Sequence, residues 1–182
     1  MKTEKFILDA TAGFRMMWFN KSHPNTIYLD KRSDEKIFED YCQSERVHDR
    51  PANNVKKHEV PTIQADFKRI PYPNNSFKLA VFDPPCHTKL SDSSWVAMRW
   101  GKLRPETWQS ELKKGFQELW RVLQPYGILI FKWNTKEIPI KKVLRLFPVK
   151  PLFGQRFKNV TVKKKRRYST YWFCFMKIPS EV

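Results

Sequence analysis

Short apolar runs alternate with amphipathic stretches along most of the chain. The apolar runs have the length of buried strands and cover residues 5–10, 26–30, 62–67, 78–83, 127–133 and 169–178. Between residues 105 and 123 apolar side chains recur at helical spacing, with Pro105 at the start and Pro125 just beyond the end. This alternation predicts an α/β fold, a three-layer sandwich around a mostly parallel sheet, with an antiparallel last strand.

Weaker patterns predict further helices in "FRMMWFNK" after Gly13, around "DEKIFEDYCQ" and in the short amphipathic stretch "IPIKKVLRLF". Two segments interrupt the alternation, at about 31–60 and 88–104. The first is charged and polar, and we expect the second to be a loop. Loops of this length in a compact domain are usually functional or mobile. We interpret residues 1–182 as a single domain with these two insertions.

The charge balance is strongly basic, with 35 Lys and Arg residues against 18 Asp and Glu, a formal net charge of +17. Such a field favours a polyanionic partner, most often nucleic acid. No apolar run approaches the ~20 residues needed to span a bilayer. The first residues lack the apolar stretch of a signal peptide, and three scattered cysteines suit a reducing compartment. We therefore expect a cytoplasmic monomer or homodimer with no membrane partner.

Aspartates stand at the ends of four successive predicted strands, at Asp9, Asp30, Asp66 and Asp83. In an open parallel sheet, ligands bind beyond the carboxyl ends of the strands. One such aspartate alone is commonly a turn residue or a helix cap. Because all four fall on the same rim of the sheet, we predict that they share a site.

The turn after the first strand, "DATAG", is built from small residues, which let a ligand lie close to the backbone. Only one of the spaced glycines of a dinucleotide fingerprint is present, so the turn does not favour a pyrophosphate. An acid at the start of the turn suits a ligand with positive charge. Asp30 follows Asp9 by 21 residues, a spacing suited to contact with ribose hydroxyls.

These motifs together resemble a known family. "ILDATAG", "IYLD", "ADF" and "VFDPPC", in this order and spacing, resemble the successive motifs of class I S-adenosylmethionine-dependent methyltransferases. The Asp-Pro-Pro motif is similar to that of amino-methyltransferases acting on adenine or cytosine amines, including small bacterial and phage proteins. "LWRVLQPYGILIFKWN" resembles the helix and fifth strand that follow. The resemblance covers nearly the whole chain and implies a seven-stranded, Rossmann-like methyltransferase sheet.

The resemblance implies S-adenosylmethionine as the cofactor and assigns positions to it. The implied cofactor residues are Asp9 at the methionine amino end, Ala10, Ala12 and Gly13 along the backbone, Asp30 at the ribose hydroxyls, and Asp66 with Phe67 at the adenine ring. No metal site is predicted.

The same resemblance implies that Asp83 and the Pro84 carbonyl hold the target amine. An exocyclic aromatic amine is a poor nucleophile because its lone pair is delocalised into the ring. Two acceptors for its N–H groups draw that lone pair out of the ring plane, and Pro84 and Pro85 fix the backbone that aims them. The resembling family usually has an aromatic residue after the second proline. Here Cys86 and His87 follow, so His87, or a tryptophan of the next loop, Trp95 or Trp100, is the candidate to stack on the base.

Three further functions stay open. Cys86 after a proline resembles the nucleophile of cytosine C5-methyltransferases, in which a thiolate attacks the ring. That chemistry also needs an acid near the ring nitrogen, and the candidate segment, 132–134, reads "KWN". The second is a non-catalytic nucleic-acid-binding module on a methyltransferase scaffold. The third is a methyltransferase acting on a protein glutamine or a small-molecule amine.

A basic run lies between the last two strands. Its five residues are Lys163, Lys164, Lys165, Arg166 and Arg167. We predict that they contact nucleic-acid phosphates, with Trp95 as an additional nucleic-acid contact. The aromatic residues that follow the run, Tyr168, Tyr171 and Trp172, fit better in the packing of the last strand.

Overall fold

The computed structural model describes residues 4–46, 62–161 and 166–179, and a seven-stranded mixed sheet organises this part of the chain. The strands are β1 (Ile7–Asp9), β2 (Thr26–Asp30), β3 (Ile63–Gln64), β4 (Phe77–Phe82), β5 (Leu123–Asn134), β6 (Phe153–Thr161) and β7 (Arg166–Met176). They lie in the order β3-β2-β1-β4-β5-β7-β6. The first five strands are parallel, and β7 runs antiparallel to β5 and β6. The predicted α/β class and the antiparallel last strand are confirmed.

Four helices accompany the sheet in the described residues: α1 (Asp34–Arg46), α2 (Trp95–Trp100), α3 (Trp108–Val122) and α4 (Ile140–Leu144). The helical spacing between residues 105 and 123 corresponds to α3, which buries Leu112, Phe116 and Leu119 completely. The Phe116 ring packs edge-on against Phe175 of β7, with ring centres 5.4 Å apart. This apolar layer holds the carboxyl ends of the central strands at one edge. Within the described residues, no helix has both the length and the apolar character to cross a bilayer.

The helix predicted from Phe14 onward is absent, and a series of turns follows β1 instead. Gly13 and Arg15 have φ angles of 48° and 52°, in the left-handed region that a right-handed helix excludes. The buried Arg15 guanidinium lies 3.7 Å from the centre of the Tyr28 ring and donates to the Lys21 carbonyl at 2.7 Å. The spacing of the apolar residues predicted a helix. Arg15 instead is buried in a left-handed backbone conformation, which an α-helix does not contain.

The two insertions pack against each other. Segment 31–60 contains α1, whereas its residues 47–60 lie outside the described part. Segment 88–104, expected to be a loop, contains the short helix α2. The Arg99 side chain of α2 joins the two helices: it donates to Ser44 Oγ at 3.1 Å, pairs with Glu45 and lies 4.5 Å from the centre of the Tyr41 ring.

Candidate active site

A cavity of about 220 Å³ opens at the carboxyl ends of β1, β2 and β4. The four aspartates that were predicted to share a site, Asp9, Asp30, Asp66 and Asp83, all line this cavity. Much of the remaining wall comes from the turn after β1 and from residues 99–103, which are the end of α2 and the segment after it. Phe67, Pro85 and Lys132 also line the cavity.

The turn after β1 is tied to both neighbouring strands through its backbone. The Ala10 amide donates to the Val81 carbonyl of β4 at 3.0 Å, and the Ala12 amide donates to the Leu29 carbonyl of β2 at 2.9 Å. Both alanines are buried, since the turn lies directly on the strands. Thr11 accepts a 2.9 Å hydrogen bond from the Asp83 amide, which joins this turn to the Asp-Pro-Pro segment.

Asp9 is completely buried at the base of the cavity. Its carboxylate accepts hydrogen bonds from Trp18 Nε1 at 2.7 Å and from the Thr11 amide at 3.2 Å. Burial raises the pKa of Asp9 to about 7, although both hydrogen bonds act in the opposite direction. Trp18 is a site residue that the sequence interpretation placed in a helix, because its contact depends on the turns that replace that helix.

Asp30 is held by a cation and by the first turn. It accepts from the Gly13 amide at 2.9 Å and from Arg32 Nε at 3.1 Å. The same arginine donates to the Met98 carbonyl at 2.7 Å and to Asp40 at 3.2 Å. Arg32 therefore connects the end of β2 to both insertion helices, a role that no local sequence signal indicated.

Asp66 and Phe67 lie after β3, on the side of the cavity next to α3. Lys68 Nζ lies 3.4 Å from Asp66 and 2.9 Å from Glu111 of α3. The Phe67 ring occupies the space beside Gly115, where a Cβ atom would come within 2.5 Å of Phe67 Cδ2. Glycine at position 115 thus allows Phe67 to pack against α3 while it lines the cavity.

Asp83 forms a short ion pair with Lys132, with Oδ2 and Nζ 2.7 Å apart. Lys132 follows Phe131, the residue paired in register with Phe82, so it stands beside Asp83 on the adjacent strand. Burial raises the pKa of Asp83, and the Lys132 ammonium counteracts this rise. Lys132 was missed as a site residue because its position depends on the pairing register of β4 with β5.

The residues after Asp83 divide between the cavity and the core. Pro85 lines the cavity, whereas Pro84, Cys86 and His87 are not among its lining residues. Cys86 packs against the hydrophobic core, and burial, reinforced by the Asp83 and Glu137 charges, raises its thiol pKa to about 12. His87 is buried, with Nδ1 2.8 Å from Glu137 Oε1.

Of the two tryptophans proposed to stack on a base, Trp100 lines the cavity and is 43% exposed. Trp95 lies at the start of α2, edge-on to Trp100 with ring centres 5.5 Å apart, and is not a lining residue. In the basic run, Lys163, Lys164 and Lys165 lie outside the described residues. Arg166 and Arg167 are the first two residues of β7.

No family model matches this sequence, and no curated protein matches it. Solved structures do share the fold. An S-adenosylmethionine-dependent methyltransferase from Methanosarcina mazei matches with a TM-score of 0.57 at 11% identity, over 98% of this chain and 94% of that one. A putative methyltransferase from Bacillus halodurans matches with a TM-score of 0.55 at 14% identity, over 98% and 95%.

The cyclase SpnF also matches, with a TM-score of 0.55 at 13% identity, over 98% of this chain and 76% of that one. Identities this low show a common fold, and the fold alone does not distinguish a methyl transfer from a cyclisation. The chain therefore has the Rossmann-like fold of S-adenosylmethionine-dependent methyltransferases, and its reaction has to be argued from the residues in the cavity.

The buried carboxyl group of Asp9 predicts a measurable pH dependence of stability. Its pKa rises from an ordinary 3.8 to about 7 on folding. Between these two pH values the folded state therefore holds a proton that the unfolded chain has released. This contribution to stability is present at low pH and is lost as the pH rises through 7. Relative to Asp9→Asn, the wild-type free energy of unfolding should fall by about 2 to 3 kcal/mol between roughly pH 5 and pH 8.

Urea unfolding of both proteins at the two pH values measures this difference. The exposed Asp92, replaced by asparagine in the same way, provides the matched control, because its side chain is 91% exposed. A difference between wild type and Asp9→Asn that does not change with pH would contradict the assignment.

Proposed function

We propose that this protein is an S-adenosylmethionine-dependent methyltransferase that modifies the exocyclic amine of adenine or cytosine in DNA or RNA. The observation that carries the proposal is the position of Asp83. It ends the fourth strand ahead of two prolines and lines one cavity with the small-residue turn and with Asp30. The fold supports S-adenosylmethionine as the cofactor, and the position of Asp83 ahead of two prolines supports an amine as the methyl acceptor.

The cavity offers groups suited to each part of the cofactor. Asp9 and the turn after it lie at the base, where the Asp9 carboxyl group attracts the cofactor's positive charge in its ionised form, which predominates above pH 7. Asp30 is an acceptor for ribose hydroxyls, and Phe67 provides an aromatic ring beside the cavity for the adenine. When bound, the cofactor supplies an electrophilic methyl group.

Asp83 is suited to accept a hydrogen bond from the target amine. Its amide is bonded to Thr11 and its carboxylate to Lys132, so its orientation is set before substrate arrives. The Pro84 carbonyl is the second acceptor in this proposal. The methylated nitrogen must lose one proton, and the raised pKa of Asp83 makes this carboxylate a better proton acceptor than an exposed aspartate.

A polyanionic substrate fits the charge of the protein. The net charge is +17, and cationic side chains line the cavity itself: Arg15, Lys31, Arg32, Lys68, Arg99, Lys102 and Lys132. Three of them pair with the strand-end aspartates, Arg99 pairs with Glu45, and Lys102 pairs with Asp92. The attraction for phosphates in this proposal therefore comes mainly from the net charge of the protein. The basic run at 163–167 adds to this field in the proposal.

Cytosine C5 chemistry is disfavoured. It requires a thiolate in the cavity, whereas Cys86 packs against the core and its thiol pKa is raised to about 12. His87 is held by Glu137, so we propose that it fixes the position of the segment after the prolines. Trp100, which lines the cavity, is then the better candidate for stacking on the target base.

The direct test is incubation with S-adenosylmethionine carrying a labelled methyl group, with DNA and RNA offered in single-stranded and duplex forms. Mass spectrometry of the digested nucleosides then identifies the modified base. Label on an N6-methyladenine or N4-methylcytosine nucleoside supports the proposal. Label at cytosine C5, label on protein or small amines only, or no transfer despite cofactor binding would each contradict it.

Replacing Asp30 with alanine tests the cofactor site. The loss of a charged acceptor for the ribose hydroxyls should weaken S-adenosylmethionine binding by about 1 to 3 kcal/mol. Isothermal titration calorimetry measures the affinity, and Glu106→Ala serves as the surface control, because Glu106 is exposed and does not line the cavity. Equal affinities for wild type and Asp30→Ala would show that the end of β2 does not bind the ribose.

Replacing Asp83 and Cys86 separately distinguishes the two enzyme mechanisms. Asp83→Ala should lower methyl transfer by at least about a hundredfold and leave cofactor affinity nearly unchanged, because the carboxylate acts on the target amine. Cys86→Ser should retain much of the activity, since amine chemistry needs no thiolate. An inactive Cys86→Ser protein, together with a covalent adduct between wild type and 5-fluorocytosine-containing nucleic acid, would instead make Cys86 the catalytic residue.

Lys132 should control the pH at which Asp83 becomes active. Asp83 must be ionised to accept the amine proton, and the adjacent ammonium favours ionisation. In Lys132→Met the acid limb of the kcat/KM profile should move to higher pH, whereas Lys132→Arg should restore it. A uniform loss of activity at every pH would indicate that Lys132 has only a structural role.

A further inference from the structure

The half of the sheet formed by β4, β5, β7 and β6 has two faces of different character. Side chains alternate between the faces along each strand. Phe82, Phe131 and Phe175 are completely buried on the face packed against α3. Residues of the opposite parity form a second face, which we call the open face. On the three outer strands it is made by Lys132, Thr170, Trp172, Phe153, Gln155 and Phe157.

The open face is continuous with the proposed catalytic residue. Lys132 stands opposite Trp172, and Trp172 stands opposite Gln155, so one row of side chains crosses three strands. Lys132 forms the ion pair with Asp83, and its Nζ lies 5.4 Å from the centre of the Trp172 ring. With strands about 4.8 Å apart, the row extends roughly 14 Å from Asp83 to β6.

Aromatic rings on this face are exposed to solvent. Phe153 is 68% exposed and Phe157 is 46% exposed, although both are large apolar residues. They stand two residues on either side of Gln155, and Trp172 lies across from that position. Clustered exposed aromatic side chains on a protein surface are typical of an interaction site.

Charge and position together identify the chemistry of the partner. Lys132 adds a cation between Trp172 and Asp83, and the whole chain carries a net charge of +17. Arg156 and Lys158 are exposed but alternate with the two phenylalanines along β6, so they lie on the other side of this edge strand. Exposed aromatic rings in one row with the proposed catalytic residue of a basic protein match a nucleic-acid strand, whose phosphates need neutralising and whose bases have faces on which to stack.

We propose that the open face binds single-stranded nucleic acid, with bases next to the target nucleotide stacked on Phe153, Phe157 and Trp172. This inference rests on the proposed function, since it places the flanking strand beside Asp83. It also specifies the substrate: a base in a duplex is already stacked and paired, so only a single-stranded or locally opened segment can use the aromatic rings. The target base would enter the cavity while its neighbours stay on the sheet.

The test compares two double variants that differ only in aromaticity. Phe153→Leu with Phe157→Leu keeps apolar bulk and removes both rings, whereas Phe153→Tyr with Phe157→Tyr keeps both rings. Fluorescence anisotropy measures their binding to a short fluorescein-labelled oligonucleotide, as DNA and as RNA, in single-stranded and duplex forms. Tyr126→Asn is the control, because Tyr126 is a 67% exposed aromatic residue near the start of β5, whereas Lys132 is near the end of this strand. Asparagine also tolerates its φ of 62°.

The leucine variant should bind the single strand at least about tenfold more weakly, and the tyrosine variant should stay within about twofold of wild type. Duplex affinity and calorimetric affinity for S-adenosylmethionine should be unchanged in both. Equal single-strand affinity of the leucine variant and wild type would overturn the inference. An equal loss for single strand and duplex would also overturn it.

Light scattering on the same proteins tests whether a second copy of this chain, rather than nucleic acid, binds the open face. A wild-type dimer that the leucine pair dissociates, without any loss of nucleic-acid affinity, would make the open face an interface between two copies and overturn the proposal. Methyl transfer is scored separately. Wild type that binds the single strand through these rings but never methylates it would contradict the proposed function and leave the binding surface supported.

Discussion

Several carboxylates are crowded into one cavity, and their electrostatic balance is the constraint on which the site depends. Asp30, Asp66 and Asp83 each form an ion pair, with Arg32, Lys68 and Lys132 respectively. Asp9 instead accepts two hydrogen bonds at the base of the cavity and keeps a pKa of about 7. Each pairing cation also contacts another element: Lys132 lies against Trp172 of β7, Lys68 pairs with Glu111 of α3, and Arg32 reaches both insertion helices. Charge compensation and the assembly of the site are therefore the same set of interactions.

The same electrostatic balance accounts for the turns that follow β1 in place of a helix. A regular helix there would direct its N-terminal amides at the ligand, an arrangement suited to an anionic group. Here turns replace the helix, Trp18 reaches back to Asp9, and Arg15 is buried over Tyr28. The base of the cavity is therefore a carboxylate with an indole donor, an environment better suited to a cationic ligand than to a phosphate.

The sequence predicted those parts of the site that are set by position along a strand or by helical spacing. Strand-end aspartates share a rim because parallel strands end at the same edge, and α3 follows from apolar residues at helical spacing. The missed features depend on contacts between distant segments. Lys132 became a site residue through strand register, α2 is secured by Arg99 packing against α1, and the turns after β1 follow from the left-handed conformation of Arg15, which a pattern of apolar residues does not reveal.

The fold supports more than one reaction, so the chemistry must lie in the side chains around Asp83. A methyltransferase and a cyclase share this architecture at comparable TM-scores. In the present site the Asp83 carboxylate pairs with Lys132 and the Asp83 amide donates to Thr11, ahead of two prolines. The neighbouring thiol of Cys86 is kept protonated in the core. Among the described residues that line it, such a site has a fixed acceptor and no activated thiolate. In the proposed methyl transfer the nucleophile would then belong to the substrate, and an amine whose protons need acceptors is the group proposed to fit this arrangement.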